Sequence, residues 1–423
     1  MSELGESPLT AGDRHLSVAE ARATILGSLV PVQGDEPVPL AQAVGRVLAA
    51  DVVSPIDVPA HDNSAMDGYA FDGAELADGT DRVLGCVGTV YAGTPWSGRL
   101  AAGQCLRIMT GAVMPAGCDT VVPQELVRVE GDAVHLPGVA VRRGENRRLR
   151  GEDLAQGRPA LQAGRVLRPA DLGLVASLGF TQVSVRRRLR VALFSTGDEV
   201  TEPGTPLPPG GIYDSNRTSL GAALQRLGVE LIDLGLVRDD PVALRRVLQR
   251  AVAEADAVVT SGGVSVGDAD HTRTLLAEMG DVAFWKVAMR PGRPFAFGPL
   301  RGEGGRSAWL FALPGNPVAA LVTFYAFARE ALQMLAGAQP EPMVTLQARS
   351  AVAIRKRPGR TEFQRGIVER DAQGQWQVRL TGSQGAGILR SLSEANALVV
   401  LGHEQGSVPA GGPVEVWLFD GLV

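Results

Sequence analysis

Asp256-Ala257-Val258-Val259-Thr260-Ser261-Gly262-Gly263-Val264-Ser265-Val266-Gly267-Asp268, with Asp270 just beyond, decides the fold. Its first five residues read as a short buried strand. The strand opens into glycines and small hydroxyls, which let a backbone come close to a ligand and offer N–H groups to an anion. The carboxylates at the far end add what a plain phosphate cradle does not need: a hold on a metal ion or a proton. The stretch suggests a charged small molecule, bound with a cation.

On both sides the pattern is β-α-β-α. Val191-Ala192-Leu193-Phe194 is an apolar strand, and Ser215 or Asn216 can cap a helix through Leu227. Glu230 to Leu236 reads as a strand. Asp240 caps the next helix and Pro241 starts it, with an end near Glu254. A helix from His271 to Met279 follows, then strands near Val282–Val287 and Pro294–Phe297. The strand Ala308–Leu313 leads through Pro314 and Gly315 to a helix with Asn316 as N-cap and Pro317 as its first residue. Continuous apolar strands separated by such helices predict a doubly wound parallel sheet.

At 423 residues the chain exceeds one ordinary core, and about three domains are expected. Ser17-Val18-Ala19-Glu20 is a capping box opening a helix towards Leu29. A second helical stretch is expected over Leu40–Ala50. From Val83 to Leu136, short β runs broken by Gly and Pro predict a β-rich domain. A helix is expected from Pro169 to Leu178. The basic run Arg186–Arg190 reads as a solvated linker face. Past Gln339 the helices stop. Asp371-Ala372-Gln373-Gly374 is a hairpin turn before Trp376, and the C-terminal part reads as a small β-barrel.

The net charge of −5 carries no basic excess, so nucleic acid is not an expected partner. No apolar run approaches the ~18 residues that span a bilayer, so no membrane is expected either. The three cysteines have no CxxC spacing and read as reduced thiols of a cytoplasmic protein. The five histidines have no ligand spacing, P-loop and Rossmann glycine signatures are absent, and no serine candidate has a nearby histidine.

Ligands of an open parallel sheet gather at the carboxyl ends of its strands. Three loops leave such ends with polar groups: Ser195-Thr196-Gly197-Asp198-Glu199, the opening stretch, and Leu313-Pro314-Gly315-Asn316-Pro317. Each alone fits an ordinary turn; together on one edge they read as a binding site. Lys286, Arg290 and Arg293 bring cations near a strand end, as a solvated edge or as a polyanion site. Asp198, Glu199, Asp239, Asp268 and Asp270 supply carboxylates of the kind Mg²⁺ uses with a phosphate and waters. Asp62 to Ala70 and Arg107 to Ala112 read equally as linker turns or as loops presenting Asp67 and its neighbours to a ligand.

These residues together resemble the molybdopterin molybdenumtransferase family, the MoeA proteins, and the E domain of gephyrin. The resemblance rests on Asn63 through Ala70, Ile108 through Ala112, Ser195 through Glu199, Asp214-Ser215-Asn216, Thr260 through Asp270, Lys286 through Pro294, Leu313 through Pro317, and Gly382-Ser383-Gln384-Gly385, in the family's order. It implies a multidomain α/β plus β chain in an elongated homodimer. A discontinuous N-terminal domain (1–54 plus 141–186) surrounds an inserted β-rich domain (55–140). An α/β domain like the molybdopterin adenylyltransferases (187–338) and a C-terminal β-barrel domain (339–423) follow. The implied reaction inserts molybdenum from molybdate into adenylylated molybdopterin, with Mg²⁺-dependent release of AMP. A molybdopterin adenylyltransferase would supply the substrate. The gephyrin likeness leaves a non-catalytic molybdopterin-binding scaffold as the alternative.

The resemblance puts the site between the third domain of one subunit and the first two domains of the other. It implies catalytic roles for Asp67, Thr110, Asp153, Glu199, Asp239 and Asp270, with Glu199, Asp239 and Asp270 on the metal. It implies ligand contacts from Thr196, Gly197, Ser261, Gly262, Gly263, Ser265, Lys286, Arg290 and Arg293. Pro314, Gly315, Asn316, Arg360 and Ser383 complete the implied set. One departure stands out. The family often has Lys-Pro-Gly-Lys-Pro where this chain has Arg290-Pro291-Gly292-Arg293-Pro294. The charge survives, but a planar guanidinium fork replaces a point charge. Oxyanion binding is expected to be retained.

Overall fold

The fold is described from a computed structural model covering residues 16–76, 78–263, 269–340 and 342–419. The chain divides into two compact units. One comprises residues up to Ala49, Gly164–Leu167 and everything from Ser184 onward; the other comprises Ala50–Ala163 and Arg168–Val183.

The first unit is built on a six-stranded sheet of β1 (Arg190–Thr196), β2 (Glu230–Val237), β3 (Ala257–Ser261), β4 (Ala283–Lys286), β5 (Pro294–Arg301) and β6 (Ser307–Leu313), in the order β2-β1-β3-β6-β5-β4. Strands β2, β1, β3 and β6 run parallel. The sheet departs from an all-parallel one at its far edge, where β5 lies antiparallel to both β6 and β4. Residues 287–293 and 302–306 join these strands, and links that short cannot make the crossover a parallel pair needs.

Helices cover both faces, and strand side chains alternate between them. Val191 and Leu193 of β1 point into a core shared with α1 (Val18–Ser28), α2 (Ser215–Arg226) and the long helix α5 (Pro317–Leu335). Ala192 and Phe194 point into the opposite core with α3 (Pro241–Glu254) and α4 (Ala269–Met279). Successive residues of one strand thus serve opposite cores, as the period of two requires. Helix α5 is long and apolar enough by length and composition to cross a membrane, but its residues are mostly buried in the core, and a π turn at Phe324–Ala328 interrupts it.

Most expected starts hold. Ser17 and Glu20 form the capping box of α1, with Ser17 N–H donating to Glu20 at 2.8 Å. Asp240 caps α3 by accepting from Ala243 N–H at 2.7 Å, and Pro241 follows it. For α2 the cap is Asp214, not Ser215 or Asn216. Its carboxylate accepts from Arg217 N–H at 3.0 Å, which frees Asn216 for other work.

Leu40–Ala50 is not a helix. Only Leu40–Gln42 forms a 3-10 turn, Gly45 takes φ +73°, and Gly45 and Leu48 donate to the carbonyls of Leu167 and Arg165 at 2.8 and 2.9 Å. Left-handed backbone at Gly45 ends a helix, and the segment finds strand-like partners instead. The basic run is not a solvated linker face. Arg186 pairs with Asp35 at 2.8 Å, Arg187 grips Asp256 with both terminal nitrogens at 2.7 and 2.8 Å, and Arg188 donates to the Gly228 carbonyl at 2.6 Å.

The C-terminal strands are β7 (Thr345–Ser350), β8 (Thr361–Arg370), β9 (Trp376–Leu380), β10 (Ala397–Leu401) and β11 (Pro413–Leu418). Their order β8-β9-β7-β11-β10 closes through a β8–β10 pairing, giving a five-stranded barrel. The turn before β9 is set by Asp371, whose carboxylate accepts from Gln373 and Gln375 N–H at 2.9 Å each, with Gly374 at φ +77°. The short strand Met289–Arg290 adds to this sheet in parallel with Thr361–Glu362.

The second unit holds another six-stranded, mixed sheet that includes Arg82–Val90, Gly68–Phe71 and Gln104–Ile108. Small cores flank it, around Phe71 and Val134 and around Ile108 and Val121. The expected helix after Arg168 runs from Pro169 to Ser177.

Candidate active-site cleft

Ser195, Ser261 and Leu313 lie abreast on neighbouring parallel strands, so the loops leaving β1, β3 and β6 emerge on one edge. Because β1 connects to β2 on one side and β3 lies on the other, this edge is the point where the winding reverses. A cleft of about 850 Å³ opens there.

Buried polar contacts lock the loops together. The Asn216 amide donates to Ser261 Oγ and to the Gly315 carbonyl, both at 2.7 Å. Ser261 Oγ donates to the Pro314 carbonyl at 3.3 Å. Ser195 Oγ donates to Asp214 Oδ1 at 3.1 Å. Asp214 is buried and pairs with Arg217, whose guanidinium also meets Asp233 at 2.6 Å and Glu202. Burial opposes the Arg217 charge, but Glu202, Asp214 and Asp233 outweigh it and raise its pKa. Thr196 and Asn216 line the cleft, and among the described residues Thr196 Oγ1 and Asn216 Oδ1 are buried with no hydrogen-bond partner. Buried polar atoms rarely stay unpaired, so both are available to a ligand.

The glycines let the loops approach one another. Gly262 has φ +92°, and a Cβ there would stand 2.5 Å from the Thr196 carbonyl oxygen. Gly197 has φ +144°, and the Glu199 carboxylate lies 2.8 Å from where its Cβ would be. Asn316 occupies the N-cap position of α5 and lines the cleft without a side-chain capping bond; Pro317 has no N–H to offer, and Val318 N–H donates to the Ala386 carbonyl at 3.1 Å. Of the carboxylates on the cleft wall, Asp240 is committed to capping, while Asp198, Glu199 and Asp239 are exposed.

The cleft thus brings together Thr196, Gly197, Glu199, Asp239, Ser261, Gly262, Gly263, Gly315 and Asn316. Pro314 sits beside it through its carbonyl. Ser265 and Asp268 lie outside the described residues. Asp270 falls within α4, but its side chain lies outside the description as well.

Lys286, Arg290, Arg293, Arg360 and Ser383 are not on the wall of this cleft. Lys286 ends β4, and Arg290 and Arg293 are exposed on the loop to β5. Arg360 is held by Glu362, with Nε donating at 2.9 Å. In the second unit, Asp67 Oδ1 accepts from both the N–H and the hydroxyl of Thr110, each at 2.7 Å. Those two bonds hold the Asp67 carboxyl below its usual pKa. Asp153 is exposed and donates its N–H to the Val58 carbonyl at 3.1 Å.

Sequence reading missed Arg365. It is fully buried in β8 and has no carboxylate partner among the described residues. Nε donates to Ser391 Oγ at 3.0 Å, and the terminal nitrogens donate to the carbonyls of Ser383, Gln384 and Gly385 at 3.2, 3.2 and 2.9 Å. Burial, and then the Arg290 charge, lower its pKa to about 10. Arg365 therefore fixes the loop that carries Ser383 and adds uncompensated positive charge near Arg290. The signal was an arginine in phase with Phe363 on an alternating strand.

Three family descriptions match in chain order: the MoeA N-terminal region (domain I and II) over residues 16–179, a probable molybdopterin binding domain over 192–334, and the MoeA C-terminal region (domain IV) over 347–419. The chain belongs to the molybdopterin molybdenumtransferase (MoeA) family. It is 40% identical to the molybdopterin molybdenumtransferase of Haemophilus influenzae over 409 residues, covering 96% of this chain and 100% of that protein. It is 37% identical to molybdopterin molybdenumtransferase 2 of Mycobacterium tuberculosis, covering 90% of this chain and 94% of that one. The crystal structure of the molybdopterin biosynthesis MoeA protein from Pyrococcus horikoshii superposes with TM-score 0.82 at 29% identity, covering 96% of this chain and 100% of that one.

Proposed function

We propose that the protein inserts molybdenum from molybdate into adenylylated molybdopterin, with magnesium-dependent release of AMP, as a step of molybdenum cofactor biosynthesis. The role in cofactor biosynthesis follows from the family and from full-length relatives named for this transfer. The observation that carries the finer reading is the combination in one cleft of glycine loops, the Asn316 turn and exposed carboxylates. The backbone N–H groups of the glycine loops suit a phosphate. The carboxylates suit a cation beside it.

Among the described residues no three His, Cys, Asp or Glu side chains converge into a ready metal cage. Magnesium does not need one, because it binds through one or two carboxylates plus substrate phosphate and keeps several waters. Glu199 and Asp239, both exposed on the cleft wall, fit that demand, with Asp270 added by the resemblance. A bound magnesium would neutralise charge on the phosphate as the adenylate is cleaved. The chain's own part is positioning. Asn216, Ser261 and Asp214 hold the loops at fixed spacing, and the unpaired Thr196 and Asn216 oxygens orient the ligand. Cleavage of a phosphoanhydride in this way needs no protein nucleophile.

The resemblance further supports a cytoplasmic homodimer supplied by a molybdopterin adenylyltransferase. It also supports roles for Asp67, Thr110 and Asp153 in turnover, and for Lys286, Arg290, Arg293, Arg360 and Ser383 in oxyanion binding. The test is purified protein with adenylylated molybdopterin, Mg²⁺ and molybdate. AMP should be released, Asp270→Ala and Glu199→Ala should each lower the rate by about 10²-fold or more, and both variants should melt close to wild type. Folded wild type that releases no AMP in the presence of molybdate sinks the enzyme reading.

A further inference from the structure

The second unit holds three free cysteines, and two of them stand side by side. Cys86 on the strand Arg82–Val90 and Cys105 on the strand Gln104–Ile108 are register partners on adjacent parallel strands. Register partners project to one face, and both cysteines serve the core around Phe71 and Val134. Cys118 belongs to the other core flanking the sheet. Cys105 is fully buried and Cys86 is half-buried. Burial, then the charge of Cys86 and a hydrogen bond with its thiol, push the Cys105 pKa up to about 12.

Neighbouring strands stand about 4.8 Å apart, inside the ~4.4–6.8 Å Cα range of a disulfide but below its usual value. A link across such a pair forms under strain, and strained disulfides are the readily reduced kind. The ladder is irregular just past the pair, between Cys86 and Thr89, so the first strand is not locked in one register there.

We propose that Cys86 and Cys105 are a redox pair, joined by a hydroperoxide in a reversible disulfide that disturbs the contact between Thr110 and Asp67. The half-buried Cys86 thiolate attacks a peroxide oxygen. The O–O bond breaks, the hydroxide released takes a proton to become water, and Cys86 is left as a sulfenic acid. The Cys105 thiol then attacks that sulfur. The S–S bond forms as the sulfenic hydroxyl leaves with the Cys105 proton as a second water, and two electrons have passed from the thiols to the peroxide. The effect on Thr110 follows from chain direction. Val90 pairs with Ile108, Met109 N–H donates to the Val90 carbonyl at 3.1 Å, and the next residue holds Asp67 through two bonds of 2.7 Å. Ile108 also pairs with Gly68, the residue after Asp67. Drawing one cysteine strand against the other therefore loads both sides of the Thr110–Asp67 contact. Only the consequence for turnover rests on the functional reading above.

The full chain is reduced, treated with a small excess of hydrogen peroxide, alkylated and mapped by mass spectrometry. The expected product is a Cys86–Cys105 disulfide within one chain, removed by dithiothreitol and absent from Cys86→Ala. Amide exchange in the peptide carrying Thr110 should be about threefold faster or more in the oxidised protein, and peroxide should leave it unchanged in Cys86→Ala. Molybdate-dependent AMP release should fall about tenfold on oxidation and return with dithiothreitol. Cys86 found as a sulfinic or sulfonic acid, linked to Cys118, or linked to a second chain while Cys105 stays free overturns the pair. A Cys86–Cys105 disulfide that leaves exchange at Thr110 unchanged overturns the coupling. Mapping and exchange decide the proposal even where reduced wild type releases no AMP, a result that counts against the functional reading alone.

Discussion

Gly262 shows how tightly the cleft is set at the level of single atoms. Its left-handed backbone and the 2.5 Å approach that any Cβ would make to the Thr196 carbonyl act together. Neither the strain nor the clash can be relieved by rotating a side chain, since the obstacle is backbone. Gly262→Ala should cost about 2 kcal/mol or more of stability and abolish AMP release. Gly263→Ala, whose Cβ would meet only the Thr196 hydroxyl at 3.2 Å, should be milder. Urea melts paired with the AMP assay check both; equal effects at the two glycines would remove the crowding argument. The glycines, Thr196 and Ser261 were legible because small residues after an apolar strand are a local signal. Arg365 was not, since its burial depends on closure of the barrel around β8.

Most elements with local signals came out as read, the α2 cap at Asp214 being an exception, and those set by distant partners did not. Asp240 before Pro241 is a complete helix start within one turn, so α3 begins where expected. Leu40–Ala50 carries apolar residues at helical spacing, but its hydrogen bonds go to residues 165 and 167, which sequence spacing cannot reveal. The antiparallel edge was hidden because apolar strands look alike in either direction; only the short connections betray it. The connection from β4 to β5 carries Arg290 and Arg293, which are proposed to bind oxyanion. Met289–Arg290 pairs with β8, and Gly292, at φ +99°, packs against Thr323 of α5 just before its π turn. Gly292→Ala should therefore displace Arg290 and Arg293 together. The expected result is a loss of about 1–3 kcal/mol and weaker pyrophosphate binding. Gly304→Ala, also at positive φ but with open space around it, is the control and should cost only the local strain. Matching losses of pyrophosphate affinity in both variants would refute the positioning role.

At the scale of the molecule, one carboxylate ties the start of the sheet to the segment before it. Asp256, the residue before β3, accepts from both terminal nitrogens of Arg187 and from Arg190 N–H at 2.9 Å, while Arg187 Nε donates to the Gln33 carbonyl at 2.8 Å. Burial pushes the Asp256 pKa up, but these bonds and the arginine charges outweigh it and hold it below the usual carboxylate value. The sign follows from that direction. In the unfolded chain the group titrates near ~3.9, so its contribution is complete above that pH and is lost as pH falls through the lower folded value. Other acids titrate in the same window, so the difference between wild type and Asp256→Asn is the quantity to follow. At pH 7 the variant should be less stable by about 1–3 kcal/mol. In urea melts taken stepwise down to about pH 3, that difference should begin to shrink as the wild-type carboxylate protonates. A gap that stays constant across the acid range would mean that Asp256 is held by shape alone and not by its charge.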